Sequence, residues 1–313
     1  MAPPSRASRV SLAPVSIVVW TNPGSGRGRA EERAREITWA LGGEAGIVLS
    51  IPGGQRVNSP RAAAALRDAK ACIVVGGDGT LHAVLPALIE SRVPVYHAAM
   101  GTENLFSREF FMRADAASVV RAVEAGRVLA VDAGEVVGAG DLALCHFALM
   151  FSAGPDAGVT RRLAAARRGS ITHATYARPV LAELADPFLP VVDVNIDGRD
   201  VVRGRRGWLL ICNSRQYGFR ADPGLRAVMT DGLLDCVFFP ADSGMEALTW
   251  VLAARTRKHL DMTGIVYVAG GRLRVRMEAG PVQADGDYLA DATGEGWIDF
   301  RCLPRALNVL LPG

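Results

Sequence analysis

The sequence predicts an α/β protein, with a parallel α/β domain followed by a mainly antiparallel β domain. Three observations predict it. Up to about Asp132, apolar runs alternate with Ala-, Glu- and Arg-rich stretches of helical length. Three of the runs hand over to helix-like segments through glycine turns: NPGSGRG (Asn22 to Gly28), GGDGT (Gly76 to Thr80) and MGTEN (Met100 to Asn104). Beyond Asp132 the runs become short and are separated by turn signals, as in GEVVGAGD, VNIDGRD, GLLDCVFFPAD and VQADGDYLA.

Residues 1 to 12 read as a disordered tail. Val15 to Trp20 reads as a buried strand, and Arg29 to Leu41 carries the composition of a helix. Gly46 to Ile51 is a second strand, and Pro60 to Ala69 a second helix with proline at its start. Ala71 to Val75 is a third strand, followed by GGDGT and the helical LHAVLPALIESR. Val93 to Ala98 is a fourth. Strand, glycine turn and helix in repetition describe a parallel sheet. In the second half, Asp197-Gly198 joins two β runs as a hairpin. Helical stretches are expected at Ala157 to Arg168, His173 to Ala185 and Gly244 to Lys258.

Composition narrows the function. With 313 residues, half of them hydrophobic, the chain can bury the cores of about two domains. The net charge of +3 comes without a block of like charge, which argues against a nucleic-acid partner. The only lysines are Lys70 and Lys258, and neither follows a glycine, so a GxxxxGK[ST] phosphate loop is excluded. The five cysteines form no CxxC; they read as free thiols in a reducing compartment, and no zinc site is expected. The uncharged stretches Val10 to Gly26 and Leu142 to Pro155 are respectively broken by Pro14, Asn22 and Pro23 and too short to span a bilayer.

In an open parallel sheet the turns after the strands gather along one edge, where ligands bind. Backbone N–H groups and helix N-termini there favour phosphate. Any one of these turns alone reads as a tight βα connection; three in one sheet argue for a phosphate site. Asp78, between the glycines of GGDGT, would place a carboxylate beside phosphate, which calls for a cation between them and suggests Mg²⁺ with a nucleoside triphosphate. Its alternative role is to cap the helix starting near Leu81.

NPGSG, GGDGT with LHAVL after it, and GTENLFSRE together resemble the catalytic domain of diacylglycerol kinases, a superfamily that includes sphingosine and ceramide kinases, bacterial lipid kinases and, more distantly, NAD kinases. VDAGEV (Val131 to Val136), FALMFSAGPDAGV (Phe147 to Val159), TDGLLDC (Thr230 to Cys236), ADGD (Ala284 to Asp287) and the tail RCLPRALNVLLP follow in the family's order. The resemblance implies a Rossmann-like nucleotide-binding domain that binds ATP over residues 12 to 133, with a C-terminal return over 301 to 313, and a β-rich, mainly antiparallel β-sandwich domain over 134 to 300. ATP would lie across Asn22, Pro23, Gly24, Ser25, Gly26, Ser50, Gly76, Gly77, Asp78, Gly79, Thr80, Leu81, His82, Thr102 and Asn104. Asp78 would organise Mg²⁺ through water, with Asp132 in the same network. A structural metal site would use the Asp231 carboxylate and the carbonyls of Val228 and Leu233; its alternative is an ordinary hairpin turn. The family's general base is the Glu of DGE, a position held here by Asp287, with Asp285 the preceding acid and the next candidate.

The implied reaction is ATP- and Mg²⁺-dependent phosphorylation of a hydroxyl of diacylglycerol, a sphingoid base or a related lipid, a step of phospholipid metabolism. The implied place is cytoplasmic and peripheral at the inner membrane face. Arg161, Arg162, Arg167 and Arg168 are candidates for lipid headgroups, against the alternative of a solvated helix face. The oligomeric state stays open, a homodimer being one arrangement. His82 reads either as a nucleotide contact or as a helix-surface residue, and His146 as a satisfied core residue. Two departures from the family stand out: Asp287 is one methylene shorter than Glu, and Leu105 follows Asn104 where many members have an acid. They motivate a non-catalytic nucleotide- or lipid-binding homologue as one alternative; a soluble NAD kinase-like enzyme, sharing GGDGT, is the other.

Overall fold

The structure, a computed structural model, describes residues 17–42, 45–50, 64–137, 145–165 and 173–313. The expected tail, the start of the helix at Pro60, and Arg167 and Arg168 lie outside these.

The first strands are β1 (Ile17–Thr21), β2 (Ala45–Ser50), β3 (Ala71–Gly76) and β4 (Val95–Ala99). They pair in parallel in the order β2-β1-β3-β4. Every residue of β1 and β3 is buried, as expected for strands covered on both faces by crossover helices. Helix α1 (Ala30–Ala40) turns Ala30, Ala34 and Ile37 inward at helical spacing. Helix α2 (Asp78–Ser91) buries Leu81, Val84, Leu85 and Leu88. The short α3 (Leu105–Glu109) and α4 (Ala116–Ala125) follow β4.

The second half is built mainly from antiparallel strands: β5 (Val128–Val137), β6 (Cys145–Phe147), β7 (Met150–Ala153), β8 (Val191–Ile196), β9 (Arg199–Cys212), β10 (Leu234–Pro240), β11 (Val266–Gly270), β12 (Arg272–Met277), β13 (Gly280–Ala284), β14 (Asp287–Ala292) and β15 (Ile298–Leu310). Asp197 and Gly198 make the expected hairpin between β8 and β9, both with positive φ. The long β9 pairs with β8 near its start and with β7 and β10 near its end, so it passes between two sheets. Side chains between them, among them Phe151, Leu209, Ile211, Phe238 and Phe300, form a dry core. Phe151 and Phe300 meet edge-on at 4.7 Å. Helices α5 (Pro155–Ala165), α6 (His173–Ala185) and α7 (Gly244–Arg255) interrupt the strands close to where the sequence places them.

Strand β15 carries the return to the first domain. Its first part pairs antiparallel with β12 and β5, and its last part stays on β5 while Val309 lies parallel to Val95 of β4. The register shifts between Leu303 and Leu307, where Arg305 has φ 52°.

Candidate active site at the meeting of four turns

Close glycine contacts bring the glycine turns together. After β1, Asn22 Oδ1 accepts the Gly24 amide at 3.0 Å and its carbonyl accepts the Ser25 amide at 2.9 Å, closing NPGSG on itself around Pro23. Gly26 has φ 60°, and a Cβ there would stand 3.0 Å from Met100 Cβ, so this turn abuts MGTEN. A Cβ on Gly101 would stand 2.7 Å from Gly77 Cα, so MGTEN also abuts GGDGT. Thr80 Oγ1 lies over Gly76 and 3.4 Å from Ser25 Oγ. Asn104, in the left-handed region, clasps its own loop: Oδ1 accepts the Gly101 amide at 2.7 Å and Nδ2 donates to the Gly101 carbonyl at 3.0 Å. Thr102 sits half-buried inside this clasp. Ser50 ends β2 opposite Thr21.

Asp78 does not cap the helix it begins. Its two oxygens accept the Leu105 and Phe106 amides at 3.0 and 3.1 Å, so it caps α3 instead and ties GGDGT to MGTEN. Beneath it, His97 Nε2 donates to the Gly76 carbonyl at 3.0 Å. Burial pushes the His97 pKa down against the pull of the Asp78 charge, which favours a neutral imidazole.

The fourth turn is ADGD. Asp287 begins β14, and a Cβ on Gly79 would meet its Oδ2 at 3.0 Å. The position of the expected base is thus set against the GGDGT turn. Asp285 has another task. Its buried carboxylate accepts the amides of Ala148, Leu149 and Met150 at 2.8, 2.8 and 3.0 Å and lies 3.1 Å from His82 Nδ1. That makes it an anchor for the β6–β7 turn rather than a reserve base. His82 is correspondingly buried, not on the helix surface, and Leu81 beside it is core. His146 is half-buried, 3.7 Å from Glu135.

Two further residues enter that the sequence reading did not single out. Burial raises the Tyr176 pKa, and the charges of Glu103, Asp287 and Asp78 raise it further. The Tyr176 phenol on α6 thus lies within electrostatic reach of those three carboxylates. Glu103 Oε2 accepts the Phe219 amide at 3.2 Å and lies 3.7 Å from Arg108. So the residue before Asn104 carries a carboxylate, which ties the MGTEN loop to the 218–220 segment, although the acid after Asn104 is absent. A Glu inside a glycine turn was the available signal.

Asp132 departs from its expected place. It is 1% exposed; Oδ2 accepts the Gly232 amide and Oδ1 the Arg305 amide, both at 2.7 Å. Its carboxylate staples the 228–233 turn to the irregularity in β15 instead of joining Asp78. That turn also closes on local bonds: Asp231 Oδ1 accepts the Leu233 amide at 3.0 Å and the Val228 carbonyl accepts the Thr230 amide at 2.7 Å. Among the described residues no group of three or more His, Cys, Asp or Glu is placed to hold a metal unaided. Both oxygens of Asp78 are taken by backbone amides, so a cation beside bound phosphates would draw its ligands mainly from phosphate and water. Arg162 pairs with the buried Glu183 at 2.8 Å and so ties α5 to α6, while Arg161 makes an exposed pair with Asp291 at 3.5 Å, as on a solvated helix face.

Comparison with known families agrees with this geometry. Residues 16–136 match the diacylglycerol kinase catalytic domain, and residues 150–311 match the YegS C-terminal NAD kinase beta sandwich-like domain. The chain belongs to the diacylglycerol kinase superfamily. As a member it is a lipid kinase. A diacylglycerol kinase of Mycobacterium tuberculosis is 26% identical over 95% of both chains. A solved structure of a putative diacylglycerol kinase from Bacillus anthracis shares the fold with a TM-score of 0.70 at 16% identity, covering 95% of this chain and 97% of that one. The fold likeness extends to yeast NADH kinase, with a TM-score of 0.54 at 13% identity over 96% of this chain and 84% of that one.

Proposed function

We propose that this lipid kinase transfers the γ-phosphate of ATP, with Mg²⁺, to a hydroxyl of diacylglycerol, a sphingoid base or a related lipid. The observation that carries the reading is the placement of Asp287 against Gly79, which sets a carboxylate beside the turn that would hold the phosphates. The amides and hydroxyls of NPGSG, GGDGT and MGTEN would bind and orient the triphosphate, with Ser25 and Thr80 offering hydroxyls on one side. Bound Mg²⁺ would neutralise phosphate charge in the transition state. Asp287 takes the proton of the lipid hydroxyl as its oxygen bonds to the γ-phosphorus and the bond to the departing ADP breaks. Asp78 holds α3 and the MGTEN loop in register with GGDGT during this exchange.

The acceptor is drawn from a membrane surface to which the protein docks peripherally, at the cytoplasmic face. Among the described residues no helix is long and apolar enough to cross a membrane. Leu181 on α6 and Met245 and Leu252 on α7 are exposed apolar side chains, and α7 ends in the basic run Arg255 to Lys258. Arg255 donates to the carbonyl of Phe219, whose ring meets Tyr176 at 6.0 Å and whose amide donates to Glu103, so this face is tied to the MGTEN loop. The deciding experiment incubates the protein with labelled ATP, Mg²⁺ and a panel of lipids with NAD alongside them. A labelled lipid is expected; label in NAD, or in no acceptor at all, overturns the reading.

A further inference from the structure

The segment FSAGPDAGV carries an acid to which the site described above gives no task. Asp156, near the start of α5, sits at the centre of a polar network. Its Oδ1 accepts the Ala157 amide and Trp208 Nε1, each at 2.9 Å. Its Oδ2 accepts Ser152 Oγ at 2.5 Å, Tyr217 OH at 2.9 Å and Gln283 Nε2 at 3.1 Å. Gln283, 1% exposed, also donates from Nε2 to Ser152 Oγ at 2.7 Å. Its other end accepts the Gly286 amide at 2.8 Å. Gly286 lies between Asp285 and Asp287.

Donor and acceptor types fix the direction of this chain. The Gly286 N–H can only donate, so the carbonyl oxygen of Gln283 must face it, and the NH₂ then faces Asp156 and Ser152. With the amide reversed, an NH₂ would confront the Gly286 N–H, two donors in a buried setting. The neighbouring Asp285 is pinned separately by its three backbone amides. The turn is thus held at both ends, and the second hold depends on the acceptor oxygen at position 156.

We infer that Asp156 is a positioning residue for phosphoryl transfer: it orients the Gln283 amide, which holds Gly286 and thereby keeps Asp287 aimed at Gly79. None of the bonds of Asp156 reaches Asp287 itself, so it acts through Gln283. The inference rests on the reading of Asp287 as the base.

The test is a reversal of polarity. Gln283→Glu sets two carboxylates face to face, and Asp156→Asn sets its NH₂ either against the Gln283 NH₂ or, turned over, against the Ala157 and Trp208 N–H groups. Each is expected to lower kcat at least ~10-fold, since small displacements of a reacting group are costly, with ATP affinity unchanged. The double variant Asp156→Asn/Gln283→Glu keeps the net charge and reverses the bond. The new amide at position 156 donates to the new carboxylate at position 283, and Ser152 and Tyr217 rotate their hydroxyls. The second oxygen of that carboxylate still accepts the Gly286 amide. The double variant is expected to recover to within a few-fold of wild type. A double variant that melts like wild type yet is no faster than the slower single overturns the inference. Should the double variant fail to fold, Gln283→Met decides. It removes all three bonds of the amide with an apolar side chain of similar length; lowered kcat at unchanged ATP affinity supports the inference, and wild-type kcat overturns it. Asp287→Ala, assayed alongside, separates the two levels. Full turnover there removes the base reading itself. Loss there with silent variants at 156 and 283 removes only the network.

Discussion

Gly79→Ala is the smallest change that addresses the proposed base without touching it. Gly79 is the second residue of α2, and its φ is not in the left-handed region, so alanine meets no backbone strain. Helix propensity favours alanine by up to about 1 kcal/mol, so thermal stability should hold or rise. The new methyl, however, would stand 3.0 Å from Asp287 Oδ2 and 3.5 Å from its Oδ1. The nearer contact is too tight, and the carboxylate must give way by a few tenths of an ångström. A misplacement of 1 Å can cost roughly 10²-fold, so a shift of this size should lower kcat by about 3- to 10-fold. The assay is initial-rate phosphorylation of the best lipid acceptor, with ATP affinity measured separately. The same change made in an Asp287→Ala background should cost nothing further, because the group it displaces is gone. A Gly79→Ala enzyme with wild-type kcat refutes the reasoning. So does an equal additional loss in the Asp287→Ala background, which would place the damage at the phosphates.

Asp287→Ala should lose at least ~10²-fold in turnover; Asp287→Glu should also lose, because the carboxylate already touches Gly79 and an added methylene must turn it aside, and a Glu variant faster than wild type contradicts this. Asp78→Asn replaces one of two amide-accepting oxygens with a donor, so it should cost ~1–2 kcal/mol in a denaturant melt as well as ~10²-fold or more in rate. A variant that lost rate with no loss of stability would mean that the cap at α3 is not needed. The protein should co-sediment with anionic vesicles more than with neutral ones, less so at high salt, and Leu252→Glu should weaken it; recovery independent of lipid charge and salt speaks against the α6–α7 face. Burial pushes the thiols of Cys72, Cys236 and Cys302 up to about 12, so at pH 8 the native protein should leave these three unreactive toward a thiol reagent that modifies them after denaturation.

The parallel half of the fold was legible because its signals are local: an apolar run, a glycine turn and a helix lie within some thirty residues of each other. The convergence of the turns was legible for the same reason, since parallel strands deliver their ends to one edge. The tasks of the individual acids were not. Asp132 meets Gly232 and Arg305, Asp285 meets residues 148 to 150, and Asp78 meets Leu105 and Phe106; each carboxylate is claimed by backbone amides that no side-chain pattern reveals. His82 read as surface because its partner, Asp285, is 203 residues away. Arg161 and Arg162 read as a solvated or lipid-facing pair, while their acids Asp291 and Glu183 come from other elements.

The shared strand β15 has a consequence for how the chain can fold as it is made. Val309 lies beside Val95, and Leu307 to Leu310 pair with Val128 to Val131, so the edge of the nucleotide-binding sheet at β4 is closed by residues synthesised some two hundred positions later. Until then β4 presents an open, apolar edge to whatever else is nearby. The first domain is therefore not a unit that matures on the ribosome ahead of the second; both reach their final form together, through pairings of long sequence separation that form slowly. A fragment ending at residue 137 would keep every glycine turn of the phosphate site and still lack the strand that seals its sheet.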